Sequence, residues 1–150
     1  MSQNKGRIAA ISLSKTKGVP KVNVNCALLI KNHGIEGDAH AGDWHRQVSL
    51  LDIAGINSLK DRLPQIAPGR FAENLTTEAL DLKKATPGMR FKIGNEVILE
   101  VTQIGKECHS KCEIYHTIGD CIMPKEGVFT KVEQGGLIHI GDAIEEIQNV

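Results

Sequence analysis

Short segments in which apolar and polar residues alternate recur along the whole chain, and this two-residue period is typical of half-buried β-strands. Gly and Pro residues separate the segments, as at Pro87-Gly88 and Gly94-Asn95, where we expect tight turns. The pattern predicts seven strands: residues 7–13, 27–31, 47–51, 90–93, 97–103, 127–132 and 143–147. Many short strands joined by tight turns favour a mostly β fold, with a barrel or sandwich architecture and minor α structure.

Two other segments have the pattern of helices. Apolar residues follow helical spacing over residues 52–63, and Pro64 provides a stop. Further along the chain, Ser110 and Glu113 have the spacing of a capping box, in which a serine N-cap and a glutamate three residues later satisfy free backbone N–H groups. The sequence therefore predicts a helix over 52–63 and a second helix that begins after Ser110.

The length and composition indicate one domain. A chain of 150 residues with 41% hydrophobic residues can bury a core without disulfide or metal staples. We expect residues 1–6 to form a flexible N-terminus and residues 7–150 to form a single domain. The first residues lack the apolar stretch of a secretion signal, and no segment approaches the eighteen apolar residues of a membrane span. The sequence predicts a cytoplasmic protein without a membrane partner.

The charge balance argues against nucleic acid as a partner. Eighteen basic residues balance eighteen acidic residues, so the chain has no net field that would hold a polyanion. One Trp, one Tyr and three Phe leave few aromatic rings for stacking on bases.

The segment 105–121 contains three of the four cysteines: Cys108, Cys112 and Cys121. The thiolate is the form of cysteine that attacks substrates and binds metals, and an ordinary thiol is mostly protonated at neutral pH. The capping box would place Cys112 in the first turn of the helix, where free backbone N–H groups and the helix dipole favour an anion. Cys112 is therefore the candidate reactive thiol, whereas Cys26 and Cys121 are interpreted as small packed hydrophobic residues.

Two other interpretations apply to the same cysteines. Cys108, Cys112, His116 and Cys121 could ligate zinc, although a Cys-x3-Cys spacing is looser than the usual Cys-x2-Cys knuckle. Four cysteines could also form two disulfides, but without an export signal the thiols should stay reduced. A structural zinc site stays open as an alternative to a reactive thiol.

Functional side chains are also concentrated in residues 34–48. This segment holds three Gly, two Asp, two His, one Arg and the only Trp, between two apolar runs. A loop of this composition favours a ligand-binding wall. The alternatives are a turn in which the Asp side chains bond their own backbone, and a metal site at Asp38, His40 and His45, which no spacing rule supports.

A third polar concentration covers residues 69–78. The guanidinium of Arg70 suits phosphate or carboxylate, and Asn74, Thr76 and Thr77 offer neutral hydrogen bonds. A solvated turn explains the same residues equally well.

Six ordered motifs carry a resemblance to a known family: Gly34-x-x-Gly-Asp-x-His-Ala-Gly, Arg46-Gln-Val-Ser-Leu-Leu, Arg70-Phe-Ala-Glu-Asn-Leu-Thr-Thr, Leu99-Glu-Val-Thr-Gln, Gly105-Lys-Glu-Cys-His-x-x-Cys and Gly119-Asp-Cys-x-Met-Pro-x-Glu-Gly-Val-Phe. Together they look like the MOSC family, which is named after the C-terminal domain of molybdenum cofactor sulfurases. The resemblance runs from about residue 7 to residue 147, and the chain looks like a small stand-alone bacterial or archaeal member.

The resemblance implies a MOSC-type β-barrel with a few short helices, and a role around the molybdenum cofactor (molybdopterin). The characteristic cysteine of the family, thought to ligate molybdenum or to carry sulfur, best matches Cys112, with Cys108 as the fallback. A soft sulfur ligand suits such a metal centre. The residues that the resemblance assigns to cofactor binding are polar side chains of the segments 34–48 and 69–78: Asp38, His40, His45, Arg46, Arg70 and Asn74.

The resemblance therefore implies a protein that binds the molybdenum cofactor, or carries sulfur for it, through Cys112. One alternative is a molybdenum-dependent reductase of N-hydroxylated or oxidised small substrates that needs a separate electron donor. Another is a zinc-stabilised structural or binding module. Cofactor-biosynthesis proteins or molybdoenzymes are the implied protein partners. Pyridoxal phosphate is not expected on this chain, since the fused sulfurase domain that binds it is absent from the sequence.

Overall fold

The computed structural model describes residues 4–60, 66–105 and 126–147. Its eleven strands are β1 (Lys5–Leu13), β2 (Val22–Val24), β3 (Cys26–Ile30), β4 (Gly34–Ile35), β5 (Val48–Asp52), β6 (Leu75–Glu78), β7 (Arg90–Ile93), β8 (Val97–Ile104), β9 (Val128–Gln134), β10 (Gly136–His139) and β11 (Ala143–Ile147). The structure also has helix α1 (Ile53–Asn57) and a 3₁₀ turn (Leu82–Lys84). The prediction of a mostly β fold is confirmed.

Seven strands close into a barrel. Their order is β11-β7-β8-β9-β5-β6-β1, and β1 pairs back onto β11, with Lys5 opposite Glu145. The β5–β6 pair is parallel and the other pairs of the barrel are antiparallel. A parallel pair requires a crossover connection, and α1 lies in that connection. β2 pairs antiparallel with the last residues of β1, and β10, β3 and β4 form a separate three-stranded sheet.

The side chains that face the barrel interior form one hydrophobic cluster. Ile8, Leu50, Leu75, Phe91 and Leu99 are among its members, and each has no solvent-exposed surface. In β8 the alternation of buried and partly exposed positions follows the two-residue period from which the strand was predicted. The barrel interior is therefore a packed core.

A second, smaller hydrophobic cluster packs around α1. It contains Leu51, Ile56, Ile66, Phe71 and Phe129. β5 is buried on both faces because Leu50 belongs to the barrel core and Leu51 to this second cluster. Two of its aromatic side chains also reach the candidate functional site described below.

The seven predicted strands are all present, with ends that shift by up to two residues. The largest change is at β1, which begins at Lys5, so residues 5 and 6 belong to the barrel rather than to a flexible N-terminus 1–6. Asn4 is also fixed, since its side chain accepts a hydrogen bond from the Asp81 N–H at 2.9 Å.

The predicted helix 52–63 corresponds to a shorter one. Helix α1 ends at Asn57, and the Asp52 side chain caps its first turn by accepting a hydrogen bond from the Ala54 N–H. Residues 61–65, which include Pro64, and the second predicted helix at Ser110 lie outside the described residues. Among the described helices, none is long and apolar enough to span a membrane.

Candidate functional site

A small pocket opens where β5, β9 and the residues before β6 meet. Its cavity volume is about 20 Å³. Side chains from four separate segments line it: His40, Arg46, Ser49, Phe71, Ala72, Asn74 and Phe129. The structure thus brings together three residues predicted to bind a cofactor: His40 and Arg46 from one polar segment, and Asn74 from another.

Arg46 gives the pocket its charge. Its guanidinium lies 4.8 Å from the centre of the Trp44 ring and 5.7 Å from that of Phe129, within the range of cation–π contacts. Its Nε is buried and has no hydrogen-bond partner among the described residues. An unsatisfied buried donor on a charged group is costly, and an oxyanion in the pocket would satisfy it.

Trp44 organises the loop that supplies Arg46. The indole N–H donates to the His40 carbonyl at 2.7 Å, and the two rings are nearly parallel with centroids 6.4 Å apart. The ammonium of Lys17 lies 4.8 Å from the Trp44 ring centre. Lys17 was not among the predicted site residues, although it places a second cation on the indole that also carries Arg46.

Asp38, in the same loop, forms an ion pair with Lys21 that was not predicted from the sequence. Its Oδ1 is 2.7 Å from Nζ of Lys21, and both side chains are completely buried. Asp38 also accepts hydrogen bonds from the N–H groups of Ser14 (3.0 Å) and His40 (3.1 Å). The predicted wall residue Asp38 is thus an anchor of the loop and does not line the pocket.

The ion pair sets the ionisation of both partners. Burial raises the pKa of Asp38, but the hydrogen bond and charge of Lys21, with the Ser14 N–H, bring it below its ordinary value. Burial lowers the pKa of Lys21, and contact with Asp38 opposes that change. A carboxylate at 2.7 Å favours the ammonium form of Lys21.

The amide of Asn74 joins three strands. Its side-chain Oδ1 accepts a hydrogen bond from the Ser49 N–H at 3.0 Å, and its Nδ2 donates to the Ser12 carbonyl at 3.2 Å. The backbone N–H of Asn74 donates to Ser49 Oγ at 3.1 Å. These bonds connect β1, β5 and the start of β6. Asn74 lines the pocket, but its polar atoms mainly hold the barrel together.

Glu73 shapes the turn that carries Phe71 and Ala72 into the pocket. The side chain is completely buried and accepts hydrogen bonds from the N–H groups of Gly69 (2.8 Å) and Phe71 (3.2 Å) and from Thr76 Oγ1 (3.1 Å). Burial raises its pKa against the opposing effect of these donors. A buried Glu73 was not predicted, because glutamate is normally exposed.

Two predicted residues lie outside the pocket lining. His45 is exposed, and its Nε2 is 2.8 Å from Oε1 of Gln103. Arg70 is also exposed, with its backbone N–H donated to the Ala67 carbonyl at 3.1 Å. Within the ranges that the structure describes, no three His, Cys, Asp or Glu side chains are placed to hold a metal ion.

Cys108, Cys112, His116 and Cys121 lie outside the described residues. The residues that flank this segment are held by hydrogen bonds, and Ile104, Glu126 and Val128 line a second pocket with Asp52, Leu82 and Lys83. The Gly105 N–H donates to the Gly127 carbonyl at 2.7 Å, and Nε2 of Gln103 donates to the Gly105 carbonyl at 2.7 Å. Phe129, two residues after Gly127, lines the pocket.

Cys26 is described, and it corrects one prediction. It is exposed rather than packed, because Cys26, Leu28 and Ile30 occupy the outward positions of β3 while Ala27 and Leu29 face the core.

The family model of the MOSC domain matches residues 36–145, which is more than half of the chain. The chain belongs to the MOSC family. MOSC proteins are generally associated with molybdenum cofactor binding or sulfurase-related functions. No curated protein sequence matches this MOSC protein significantly.

Solved structures confirm the fold. The YuaD protein from Bacillus subtilis is similar with a TM-score of 0.79 and 19% identity, over 98% of this chain and 99% of that one. YiiM from Geobacillus stearothermophilus gives 0.72 and 19%, over 95% and 75% of the two chains. YiiM from Escherichia coli gives 0.67 and 19%, over 96% and 71%. At these identities the likeness of this MOSC protein to them is one of fold.

Proposed function

We propose that this MOSC protein binds the molybdenum cofactor with an anionic group of the cofactor against Arg46, and that Cys112 is the thiolate that ligates molybdenum or carries sulfur. The observation that carries the proposal is the buried Nε of Arg46 in the pocket, which has no hydrogen-bond partner within the part of the chain that the structure describes. The cofactor, when bound, supplies a molybdenum centre whose chemistry is outside the reach of ordinary side chains.

The donor set fits an oxyanion. Arginine presents parallel N–H groups that match phosphate geometry, and stacking on Trp44 and Phe129 restricts the plane in which Arg46 can present them. Lys17 adds positive charge on the same indole. The cavity volume of about 20 Å³ is far below the usual range for drug-sized ligands, so these walls fit only one small group of a cofactor.

The metal ligand has to come from elsewhere in the chain. The described lining of the pocket contains no cysteine or methionine, the side chains that supply soft sulfur ligands. Gly105 and Gly127, which flank residues 106–125, are hydrogen-bonded to each other, and Phe129, two residues after Gly127, lines the pocket. Ile104, Glu126 and Val128 line a separate pocket. Cys112 is the proposed ligand because of the predicted helix N-terminus, and Cys108 is the alternative within the same segment.

The anion site is tested with Arg46→Gln, which removes the charge and keeps much of the side-chain volume. We expect molybdenum cofactor to bind about 10 to 100 times more weakly, because a hydrogen bond to a charged group contributes about 1.5–3 kcal/mol. Arg7→Gln is the matched control, since Arg7 is exposed and pairs with Glu78 outside the pocket. Equal affinity of the two variants would contradict the role of Arg46.

The thiol is tested with Cys112→Ser against Cys108→Ser. X-ray absorption at the molybdenum edge of loaded protein should lose one sulfur neighbour in Cys112→Ser and keep it in Cys108→Ser. The reverse result would assign the role to Cys108. Elemental analysis of the native protein is a separate check, because stoichiometric zinc without molybdenum would support a zinc-stabilised module and contradict the proposal.

A further inference from the structure

The end of β8 carries two polar side chains that do not line the pocket, those of Thr102 and Gln103. They close the motif Leu99-Glu-Val-Thr-Gln, and neither belongs to the residues predicted to bind a cofactor. The register of β8 against β9 shifts between Val101 and Gln103, which is the pattern of a β-bulge with Thr102 as the extra residue. Bulges re-aim side chains and are common beside active sites. Here the bulge brings both side chains to the loop 34–48.

Both side chains hold His45, the residue that precedes Arg46. The Thr102 hydroxyl contacts the His45 carbonyl oxygen and lies 3.1 Å from the Phe129 carbonyl oxygen. Oε1 of Gln103 is 2.8 Å from Nε2 of His45, and Nε2 of Gln103 donates to the Gly105 carbonyl at 2.7 Å. One carboxamide therefore joins the loop that carries Arg46 to the last described residue before the segment 106–125.

The Gly105 carbonyl fixes the orientation of this carboxamide. A carbonyl oxygen only accepts hydrogen bonds, so the NH2 group of Gln103 has to face Gly105. A flipped amide would place two oxygen atoms 2.7 Å apart. The Gln103 oxygen then faces His45, and because an amide oxygen is also only an acceptor, Nε2 of His45 must carry a proton. The neutral Nε2–H imidazole and the imidazolium both meet this requirement, so the contact persists when the ring titrates.

We propose that Gln103 is a positioning residue that sets the Arg46 loop at a fixed distance from the start of the segment 106–125. The need for this spacing rests on the proposed function, in which an anionic group of the cofactor lies against Arg46 and the sulfur ligand comes from that segment. The carboxamide spans the two parts with short hydrogen bonds on both sides. Binding of an oxyanion at Arg46 is therefore transmitted through His45 and Gln103 to Gly105.

Nitrogen-15 and carbon-13 NMR of the full chain without ligand test the contacts. At about pH 8, where an ordinary imidazole is neutral, His45 should show a protonated Nε2. Gln103→Leu should move the carbonyl carbon-13 signal of Gly105 and give His45 a mixture of tautomers. Gln134→Leu is the matched control, because Gln134 is exposed on β9 and donates to another backbone carbonyl, that of Glu96, so both signals should stay native. An unprotonated Nε2 in the native protein, or a native Gly105 signal in Gln103→Leu, would overturn the proposal.

A double-mutant cycle separates the carboxamide from its surroundings. His45→Ala should move the Gly105 carbonyl signal while Gln103 is present, because the amide loses one of its two partners. The same substitution should leave the signal almost unmoved in the Gln103→Leu background. Equal movements in the two backgrounds would show that His45 and Gly105 are coupled without Gln103, and this result would contradict the proposal.

Inorganic phosphate tests transmission from the anion site. Saturating phosphate should move the Gly105 signal of the native protein. Gln103→Leu should bind phosphate about two- to tenfold more weakly, because a hydrogen bond that restrains the Arg46 loop is lost, and its Gly105 signal should no longer respond. An equal response in Gln103→Leu, or none in the native protein with phosphate bound, would overturn the inference.

The proposed function fails in a different way. Arg46→Gln should weaken phosphate binding while the His45 and Gly105 signals without ligand stay native. Failure of the native protein to bind phosphate or molybdenum cofactor would contradict the proposed function, whereas the signals without ligand and the double-mutant cycle would still decide the role of Gln103.

Discussion

Two ion pairs of almost equal length should differ greatly in what their loss does to stability. Lys21–Asp38 has an N···O distance of 2.7 Å with both side chains buried, and Arg7–Glu78 has 2.6 Å with both side chains largely exposed. Asp38→Asn leaves an uncompensated buried ammonium, which should lower the free energy of unfolding by about 3–5 kcal/mol. Glu78→Gln breaks a solvated pair and should lower it by about 0–1 kcal/mol.

Urea unfolding of the native protein and the two variants measures both losses, provided that the urea dependence (m value) stays constant. The two substitutions make the same chemical change, from carboxylate to amide, at different burial. Equal losses of unfolding free energy in Asp38→Asn and Glu78→Gln would refute the argument that burial makes the Lys21–Asp38 pair contribute more to stability.

The pH dependence has a definite sign. The pKa of Asp38 is lower in the folded protein than its ordinary value of about 3.9, so its contribution is complete above that value and is lost as the pH falls through the folded pKa. The stability difference between the native protein and Asp38→Asn should therefore be full at neutral pH and shrink in acid. A difference that grows below about pH 4 would contradict this assignment.

Further predictions use matched positions within one element or one backbone conformation. Gly69 and Gly88 have φ of +93° and +95°, but a Cβ at Gly69 would lie 2.5 Å from the Lys21 carbonyl oxygen, while Gly88 faces open space. Gly88→Ala should cost about 1–2 kcal/mol from φ alone, and Gly69→Ala clearly more, as measured by thermal unfolding; equal costs would refute the close approach. Leu29→Ala should cost about 2–5 kcal/mol and Leu28→Ala less than about 1 kcal/mol, because Leu29 is 1% exposed and Leu28 is 41% exposed on the opposite face of β3. A larger loss in Leu28→Ala would contradict the register of that strand.

The sequence predicted the strands that have an apolar alternation and missed those that do not. β8 was predictable because Val97, Leu99 and Val101 alternate with more polar residues. β6 was missed because Thr76 and Thr77 are both completely buried, so the strand has a polar pattern in a dry environment. The short strands β2 and β4 contain too few residues for a period to be recognised. β10 was missed although it is as long as the predicted β7.

Only those residues of the candidate site that stand in recognisable sequence motifs were predicted. His40, Arg46 and Asn74 were found because they stand in polar segments between apolar runs. Lys21 could not be found, since its role depends on Asp38, and nothing local in the sequence links the two residues. The aromatic walls of the pocket were missed for a related reason, because Phe129 belongs to a predicted strand and lies near the polar segment only in the folded barrel.

The pairing of β1 with β11 has a consequence for folding. The contact joins residues 5–7 to residues 143–145, almost the full length of the chain apart. A contact this distant in sequence requires a large loop to close first, which places barrel closure among the slow steps of folding. During synthesis β1 has to wait for β11 with one edge unpaired, so the interval before closure is when the chain is most exposed to aggregation and most dependent on chaperones.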